Sequence, residues 1–354
     1  MNFDETPLLV IWEATQACDL ACVHCRASAM PERHGGELTT SESYNLLDQV
    51  RSLGNPLMVF TGGDPLKRPD LFELMAYSVK LGLRTNVSPS ATPLLTVDAI
   101  DEFQRLGVAR IAISLDGPDA ASHDAFRGVG GAFDYAMRAL RHAQRIGLET
   151  QIQTTVTRRN IELLPRIADL VAEVGGKMWS VFFLVVTGRA LREDDLTSEE
   201  YEEVFEILYG ISKTAPFDVK TTEGMHYRRY VAQREKGNRG ESPAARKVVW
   251  RSAGVSDGKG FVFVSHTGEV YPSGFLPVSA GNVRRDSLAD MYRRSPLFQS
   301  LRDTDRREGK CGACEYRNLC GGSRARAYAL TGNYLAEDPR CMYQPAGAAA
   351  GRNV

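Results

Sequence analysis

The sequence predicts an α/β protein built on a parallel sheet, and three observations carry that prediction. Six apolar or β-branched runs of strand length recur over residues 1–190, at 8–14, 57–61, 84–88, 110–115, 150–156 and 181–186. Between them lie amphipathic helical patterns that end at Gly54, Gly82, Gly107, Gly147 and Gly175. A glycine just past a helix can take the left-handed conformation that stops it. Strands that alternate with helices in this way run parallel and are joined by right-handed crossovers. The pattern alone fits either a doubly wound sheet or a barrel.

The first run, Leu8-Leu9-Val10-Ile11-Trp12, feeds Ala17-Cys18-Asp19-Leu20-Ala21-Cys22-Val23-His24-Cys25, which spaces three cysteines as C-x3-C-x2-C. Three thiolates after a strand can hold an iron–sulfur cluster and leave one iron open to a ligand. Taken alone, the triplet also fits a zinc knuckle or buried core cysteines. The next helix carries a capping box, Thr39 with Glu42 three residues on. The second run ends in Thr61-Gly62-Gly63-Asp64-Pro65. Two glycines let backbone approach a ligand, and Asp64 offers an anion to an ammonium group; such a tripeptide is also a common turn. Asn86 stands at the end of the third run, as a cofactor contact or as a turn residue. The fourth ends in Ser114-Leu115-Asp116-Gly117, with Arg127 following. A hydroxyl and a planar guanidinium suit a carboxylate, and a plain salt bridge is the other use of such an arginine. The sixth runs into Thr187-Gly188-Arg189, which places a hydroxyl, a permissive backbone and a cation at a strand end.

Residues 191–250 are charged and helical in pattern over 198–209, then looser. There His226, Tyr227, Arg228 and Arg229 put an imidazole, a phenol and two cations on four successive positions. That group suits an anionic substrate or an iron, or is simply a polar helix start. Residues 251–283 read as a hairpin about His266-Thr267-Gly268, and 284–310 as a charged linker and helix. The Ala/Gly-rich tail 346–354 reads as disordered. Cys311, Cys314, Cys320 and Cys341 form C-x2-C-x5-C-x20-C, enough for every iron of a [4Fe–4S] cluster or for one zinc.

Composition narrows the classes. The chain has 354 residues, 43% hydrophobic and 25% charged, with a net charge of −1. Nothing global favours nucleic acid or an anionic membrane as partner. The apolar runs are too short to span a bilayer, and Met1-Asn2-Phe3-Asp4-Glu5 has no signal-peptide character. Seven cysteines, clustered as three and four, point to metal in a reducing cytoplasm rather than to a disulfide framework.

The cysteine triplet, the Gly-Gly-Asp turn and the four-cysteine set together resemble the radical S-adenosylmethionine (SAM) superfamily with a SPASM or twitch-like extension. The extension is matched by Cys311-Gly312-Ala313-Cys314-Glu315-Tyr316-Arg317-Asn318-Leu319-Cys320-Gly321-Gly322 and by Asp338-Pro339-Arg340-Cys341. The resemblance implies an open, partial (β/α)6 TIM-type barrel with a small C-terminal auxiliary iron–sulfur domain. Its division would be a barrel core at 1–190, a helical bridge at 191–250, the auxiliary domain at 251–345 and a tail at 346–354. It implies two [4Fe–4S] clusters, one on Cys18, Cys22 and Cys25 that binds SAM, the other on Cys311, Cys314, Cys320 and Cys341. Gly62, Gly63 and Asp64 would hold the methionine amine, with Asp where the family has Glu. Ser114 and Arg127 would take the carboxylate, and Asn86 would face the same cofactor. Full SPASM domains carry a second auxiliary cluster; here Ser252, Ser273 and Arg324 stand where its cysteines are expected. The chemistry starts from a radical and needs no general base, so no acid–base residue is named. A reducing donor such as flavodoxin or ferredoxin is implied as partner. The four-cysteine spacing and Leu184-Val185-Val186-Thr187-Gly188-Arg189-Ala190 look like the branch that edits tetrapyrrole side chains in heme and heme d1 formation. Arg189, His226, Arg228 and Arg229 would then meet propionates or iron. The alternatives are a maturase acting on a ribosomally made peptide and a zinc-stabilised protein without enzymatic activity.

Overall fold

A computed structural model describes residues 2–237 and 254–346. One nine-stranded sheet organises them, in the order β7-β6-β5-β4-β3-β2-β1-β8-β9. The strands are β1 (Leu9–Glu13), β2 (Leu57–Thr61), β3 (Thr85–Val87), β4 (Arg110–Ser114), β5 (Thr150–Val156), β6 (Met178–Phe183), β7 (Asp218–Thr222), β8 (Phe261–Val264) and β9 (Val270–Tyr271). Strands β1 to β7 are parallel in chain order; β8 adds parallel to the free side of β1, and β9 folds back antiparallel. This is the open partial barrel, lengthened at both edges. Helices α1 (Thr40–Ser52), α2 (Leu71–Lys80), α3 (Val97–Arg105), α4 (Ala120–Arg127), α5 (Ala132–Ile146), α6 (Leu164–Glu173) and α7 (Ser198–Thr214) join the parallel strands. Then follow α8 (Tyr227–Gly237), α9 (Leu288–Arg294), α10 (Pro296–Arg302) and α11 (Arg324–Thr331). No helix among the described residues is long and apolar enough to cross a membrane.

Local chemistry explains the crossovers. Thr39 and Glu42 close the capping box of α1 in both directions. The five glycines expected to end helices all have positive φ, between 66° and 117°. On α5, Ala136, Met137, Leu140 and Ala143 form one buried face, packed against the outer side of the sheet. That side is mostly apolar: Val10, Trp12, Met58, Phe60, Val87, Ile111, Ile113, Ile152, Val156 and Val181 are fully buried there, with Thr85 and Thr154 buried among them and hydrogen-bonded. Each large side chain of this layer contributes about 1.5–3 kcal/mol by leaving water. Side chains alternate along a strand, so the opposite face lines the barrel lumen, and there β5 places Gln151, Gln153 and Thr155.

Three elements differ from the sequence reading. Strand β6 begins at Met178 rather than 181, because Met178, Trp179 and Ser180 pair with Gln151, Ile152 and Gln153. Leu184 and Val185 leave the sheet, and Val185 packs with Leu276, Leu301 and Ala325. The looser stretch after α7 holds β7, whose Val219 joins the outer apolar layer; two charged residues in five conceal its alternation. The hairpin strand β8 continues the barrel's own sheet through β1. Ser252, residues 238–250 of the bridge and residues 347–354 of the tail lie outside the described residues.

Candidate active site and auxiliary metal centre

The cysteine loop leaves β1 and lies across the C-terminal ends of the strands, where barrels of this type keep their chemistry. Cys18, Cys22 and Cys25 line one cavity of about 210 Å³ together with Gly62, Gly63, Ser88, Ser90, Ser114, Arg127, Gln153, Thr155 and Phe182. Backbone bonds from Gly63 N to Thr15 O (2.8 Å) and Asp64 N to Ala17 O (2.6 Å) hold the loop down. A Cβ on Gly62 would stand 2.6 Å from Thr15 O, and one on Gly63 2.4 Å from Ala17 O. The glycine pair is thus demanded first by the loop's own backbone. Gly188 serves the same end, since its Cβ would stand 2.3 Å from Cys25 O. The sulfurs already meet donors: Leu20 N lies 3.4 Å from Cys18 Sγ, Ala29 N 3.4 Å from Cys25 Sγ, and Arg127 Nη1 3.6 Å from Cys22 Sγ. Burial pushes the Cys18 thiol up. Donors aimed at sulfur suit thiolates bound to a metal centre.

Of the residues expected around SAM, Gly62, Gly63, Ser114 and Arg127 meet in this cavity. Arg127 also pairs with the fully buried Asp116, whose Oδ1 accepts from Thr155 N at 2.7 Å. Burial opposes the charge on Arg127, and Asp116 and Cys22 outweigh it. Asp64 does not face the cavity. It is fully buried, caps the turn Pro65–Lys67, and accepts from Thr92 Oγ1 (2.8 Å), Leu66 N (3.2 Å) and Ser90 N (3.3 Å). Burial pushes it up to about 6. The backbone of Gly62 and Gly63, not the Asp64 carboxylate, is what this turn presents to a ligand. Asn86 is also set back: it sits within β3, beside Val59 and Arg110, with Oδ1 buried and unpartnered. Ser88, two residues on, reaches the cavity in its place.

None of the four residues expected to meet substrate lines this cavity. Arg189 ties the cysteine loop, donating from Nε to Cys22 O (3.0 Å) and from Nη1 to Ala29 O (3.1 Å). Arg228 donates from Nη1 to Val255 O at 2.8 Å. Arg229 pairs with Glu202 and donates to Gln233 Oε1 at 2.9 Å. His226 is fully buried, in the second cavity described below. Helix α8 starts directly after β7 and turns these side chains toward the C-terminal cysteines, a direction the local sequence does not encode.

Two features of the barrel mouth and lumen have no motif in the sequence. Glu13, at the end of β1, accepts from Arg26 Nη2 (2.5 Å) and bonds His266 Nδ1 (2.7 Å), while the Arg26 guanidinium lies 4.6 Å from the Phe263 ring centre. This cluster ties the cysteine loop to the β8–β9 hairpin. Burial raises the Glu13 carboxyl, but Arg26 and His266 prevail and hold it below the ordinary range. Deeper in the lumen lies Lys220. It pairs in register with Ser180, one layer below Phe182 and Thr222, and it has no hydrogen bond or ion pair among the described residues. Burial pushes it down to about 8, with Arg228 and Arg110 adding to the shift.

The second cavity is lined by all four C-terminal cysteines, with His226, Arg229, Lys310 and Tyr316 among its walls. Cys311, in the single helical turn Gly309–Gly312, accepts from Asp338 N (3.3 Å) and Arg324 Nη2 (3.7 Å); Cys320 accepts from Gly322 N (3.4 Å). Burial pushes the Cys320 thiol up to about 12 and the Cys341 thiol up to about 11. Metal binding would have to displace those protons. Arg228, Arg229 and Arg307 lie close enough to feel the charge on these sulfurs. Four thiols under a shell of cations suit an anionic cluster with every iron ligated. Ser273 and Arg324 are buried and already partnered: Ser273 Oγ accepts from Phe275 N (3.3 Å), and Arg324, besides its contact with Cys311, donates from Nη1 to Tyr334 O (3.1 Å) and Ala336 O (2.6 Å).

Comparison with known proteins agrees with this geometry. The model of the radical SAM superfamily matches residues 12–171, and that of the SPASM iron–sulfur cluster-binding domain matches residues 256–315. The AdoMet-dependent heme synthase of Nitratidesulfovibrio vulgaris is 44% identical over 95% of this chain and 92% of its own. That of Methanosarcina barkeri is 39% identical over 96% of this chain and 97% of its own. Streptococcus suis SuiB bound to S-adenosylmethionine superposes with a TM-score of 0.75 over 96% of this chain and 78% of its own, at 17% identity, which is a likeness of fold. The chain belongs to the radical SAM superfamily, with a SPASM iron–sulfur domain, and is a SAM-dependent enzyme of two [4Fe–4S] clusters.

Proposed function

We propose that the enzyme takes a hydrogen atom from a side chain of a carboxylate-bearing tetrapyrrole. The observation that carries this reading is the 44% identity to a heme synthase over nearly the whole of both chains. Cys18, Cys22 and Cys25 are the proposed ligands of the SAM-binding cluster, and Cys311, Cys314, Cys320 and Cys341 those of the auxiliary one. When bound, the open-site cluster supplies the electron that splits SAM into methionine and a 5′-deoxyadenosyl radical. The chain's own part is to bind, aim and exclude water. Gly62, Gly63 and Ser114 receive the methionine end, and Arg127, fixed by Asp116, brings its positive charge to the carboxylate. Phe182 and Leu184 give the same cavity an apolar wall. Lys220, without an anionic partner among the described residues, is suited to a substrate carboxylate. A low-potential donor such as flavodoxin or ferredoxin and a reducing cytoplasm fit seven unpaired thiols.

The test is direct. Protein reconstituted anaerobically to roughly eight irons per chain is incubated with SAM, a reductant and iron coproporphyrin III, and the porphyrin is weighed by mass spectrometry. The expected result is a porphyrin altered at its propionates, with 5′-deoxyadenosine formed alongside. Deoxyadenosine formed over an unaltered porphyrin would reject the tetrapyrrole reading and leave the radical chemistry standing.

A further inference from the structure

His226 lines the auxiliary cavity, and nothing among the described residues accounts for its nitrogens. The ring is 0% exposed. It stacks on Tyr201, with centroids 5.1 Å apart and planes 25° apart, and meets Phe205 edge-on at 4.8 Å. Those contacts fix its orientation, and a phenylalanine would make them equally well. Neither ring nitrogen has a hydrogen-bond partner among the described residues. The nearest anion, Asp338 Oδ2, lies 3.7 Å from Nδ1, beyond hydrogen-bond length. Asp338 is already committed: its oxygens accept from Ser323 N (2.9 Å), Arg326 Nη1 (3.0 Å) and Arg340 N (3.1 Å). Burying an imidazole N–H without an acceptor is destabilising. An unpartnered imidazole on a residue that lines a cavity points to an acceptor within the cavity. The other walls are the sulfurs of Cys311, Cys314, Cys320 and Cys341, and the group they would hold carries further sulfurs able to accept.

We propose that His226 donates a ring N–H to a sulfur of the auxiliary cluster and thereby raises its reduction potential. The inference rests on those four cysteines being the auxiliary ligands. A hydrogen bond to cluster sulfur is stronger in the reduced, more negative state, so it favours reduction. The surrounding arginines act in the same direction, and Arg324 already donates to Cys311 Sγ; His226 adds a further directed bond. The step is one electron added to the cluster, with no proton moved and no bond broken.

The test uses holoenzyme labelled with 15N-histidine, reduced and read by pulsed EPR, with Cys22→Ala protein identifying the auxiliary signal. The expected spectrum shows a histidine nitrogen and an exchangeable proton coupled to that signal. Both couplings vanish in His226→Phe, whose auxiliary midpoint potential shifts to more negative values. His226→Gln, which keeps a donor, recovers part of the shift. A wild-type signal without histidine coupling, or a coupling that survives in His226→Phe, overturns the proposal. If the variants fail to keep the cluster, the wild-type spectrum decides alone. Protein that holds iron only at the N-terminal site overturns the ligand assignment itself and this inference with it, and total iron tells that case from a missing hydrogen bond.

Discussion

The two cysteine sites differ less in their sulfurs than in what surrounds them. At the strand ends, three thiols share a cavity with hydroxyls, an amide and two arginines, Arg26 and Arg127, and the cavity opens toward a polar lumen. At the C-terminus, four thiols share a smaller cavity with His226, Arg229, Lys310 and Arg317, and no strand end of the barrel contributes to its wall. The first site has room for a ligand beside its metal; the second spends its space on ligands and counter-charge. The two cluster sites are thereby given different environments within one chain. The Glu13–Arg26–His266 cluster, which straps the cysteine loop to the hairpin, holds the two regions in one arrangement.

The sharpest way to break this contrast is to remove one site at a time. Cys22→Ala is expected to abolish 5′-deoxyadenosine formation while roughly four irons per chain remain. Cys314→Ala is expected to remove a similar amount of iron and leave the SAM-dependent EPR change at the other cluster. Iron analysis and product chromatography check both. SAM cleavage that persists in Cys22→Ala would show that the two sites are assigned the wrong way round.

The same contrast explains what could be read from the sequence. The barrel was legible because its signals are local: apolar runs, a capping box at Thr39, and glycines that stop helices. Both cysteine sets were legible because their ligands lie within short spacings. What escaped is long-range. Asp64 has the composition of a ligand contact, but it turns inward to cap its own turn and meet Thr92. His226, Arg228 and Arg229 read as a substrate group because sequence gives no direction for a helix start. Packing of α8 sends them to cysteines, carbonyls and carboxylates far along the chain. The lumen was half legible: the alternation Gln151, Gln153, Thr155 in a strand covered on its outer face marks a polar interior. Lys220 stayed hidden because β7 is short and its lumen side is charged.

Lys220 gives the next prediction, on the substrate side of the contrast. If it meets a carboxylate, Lys220→Ala should weaken binding of iron coproporphyrin III by about 10-fold or more, the scale of a lost charge-assisted hydrogen bond. Absorbance titration measures this, with iron octaethylporphyrin, which lacks carboxylates, as control. The pH dependence has a definite sign. Burial holds Lys220 down to about 8, so its ammonium is present below that value and is lost as pH rises through it. Wild-type affinity should fall above about pH 8, and Lys220→Arg, which stays charged, should flatten the fall. Equal affinities for the two porphyrins would leave Lys220 without this role.

The smallest effect lies on the seam between the two regions, where the Arg284 guanidinium reaches back from the C-terminal part to α1. Its Nε meets Glu42 Oε1 at 2.7 Å and its Nη2 meets Glu42 Oε2 at 3.0 Å, while Thr39 N donates to Oε2 at 2.8 Å. The Arg284 bond, then the cap, hold the Glu42 carboxyl down to about 2. A carboxyl lowered in the folded state stabilises above its unfolded value, near 4.3, and loses that contribution only as pH falls toward 2. Both side chains are about one-third exposed, so solvent screening limits the pair to about 1 kcal/mol. Arg284→Ala should therefore lower the urea midpoint slightly, by the same amount at about pH 6 and about pH 8, with both cluster spectra unchanged. A difference that grows between those pH values would mean that another group, not Glu42, answers Arg284 across the seam.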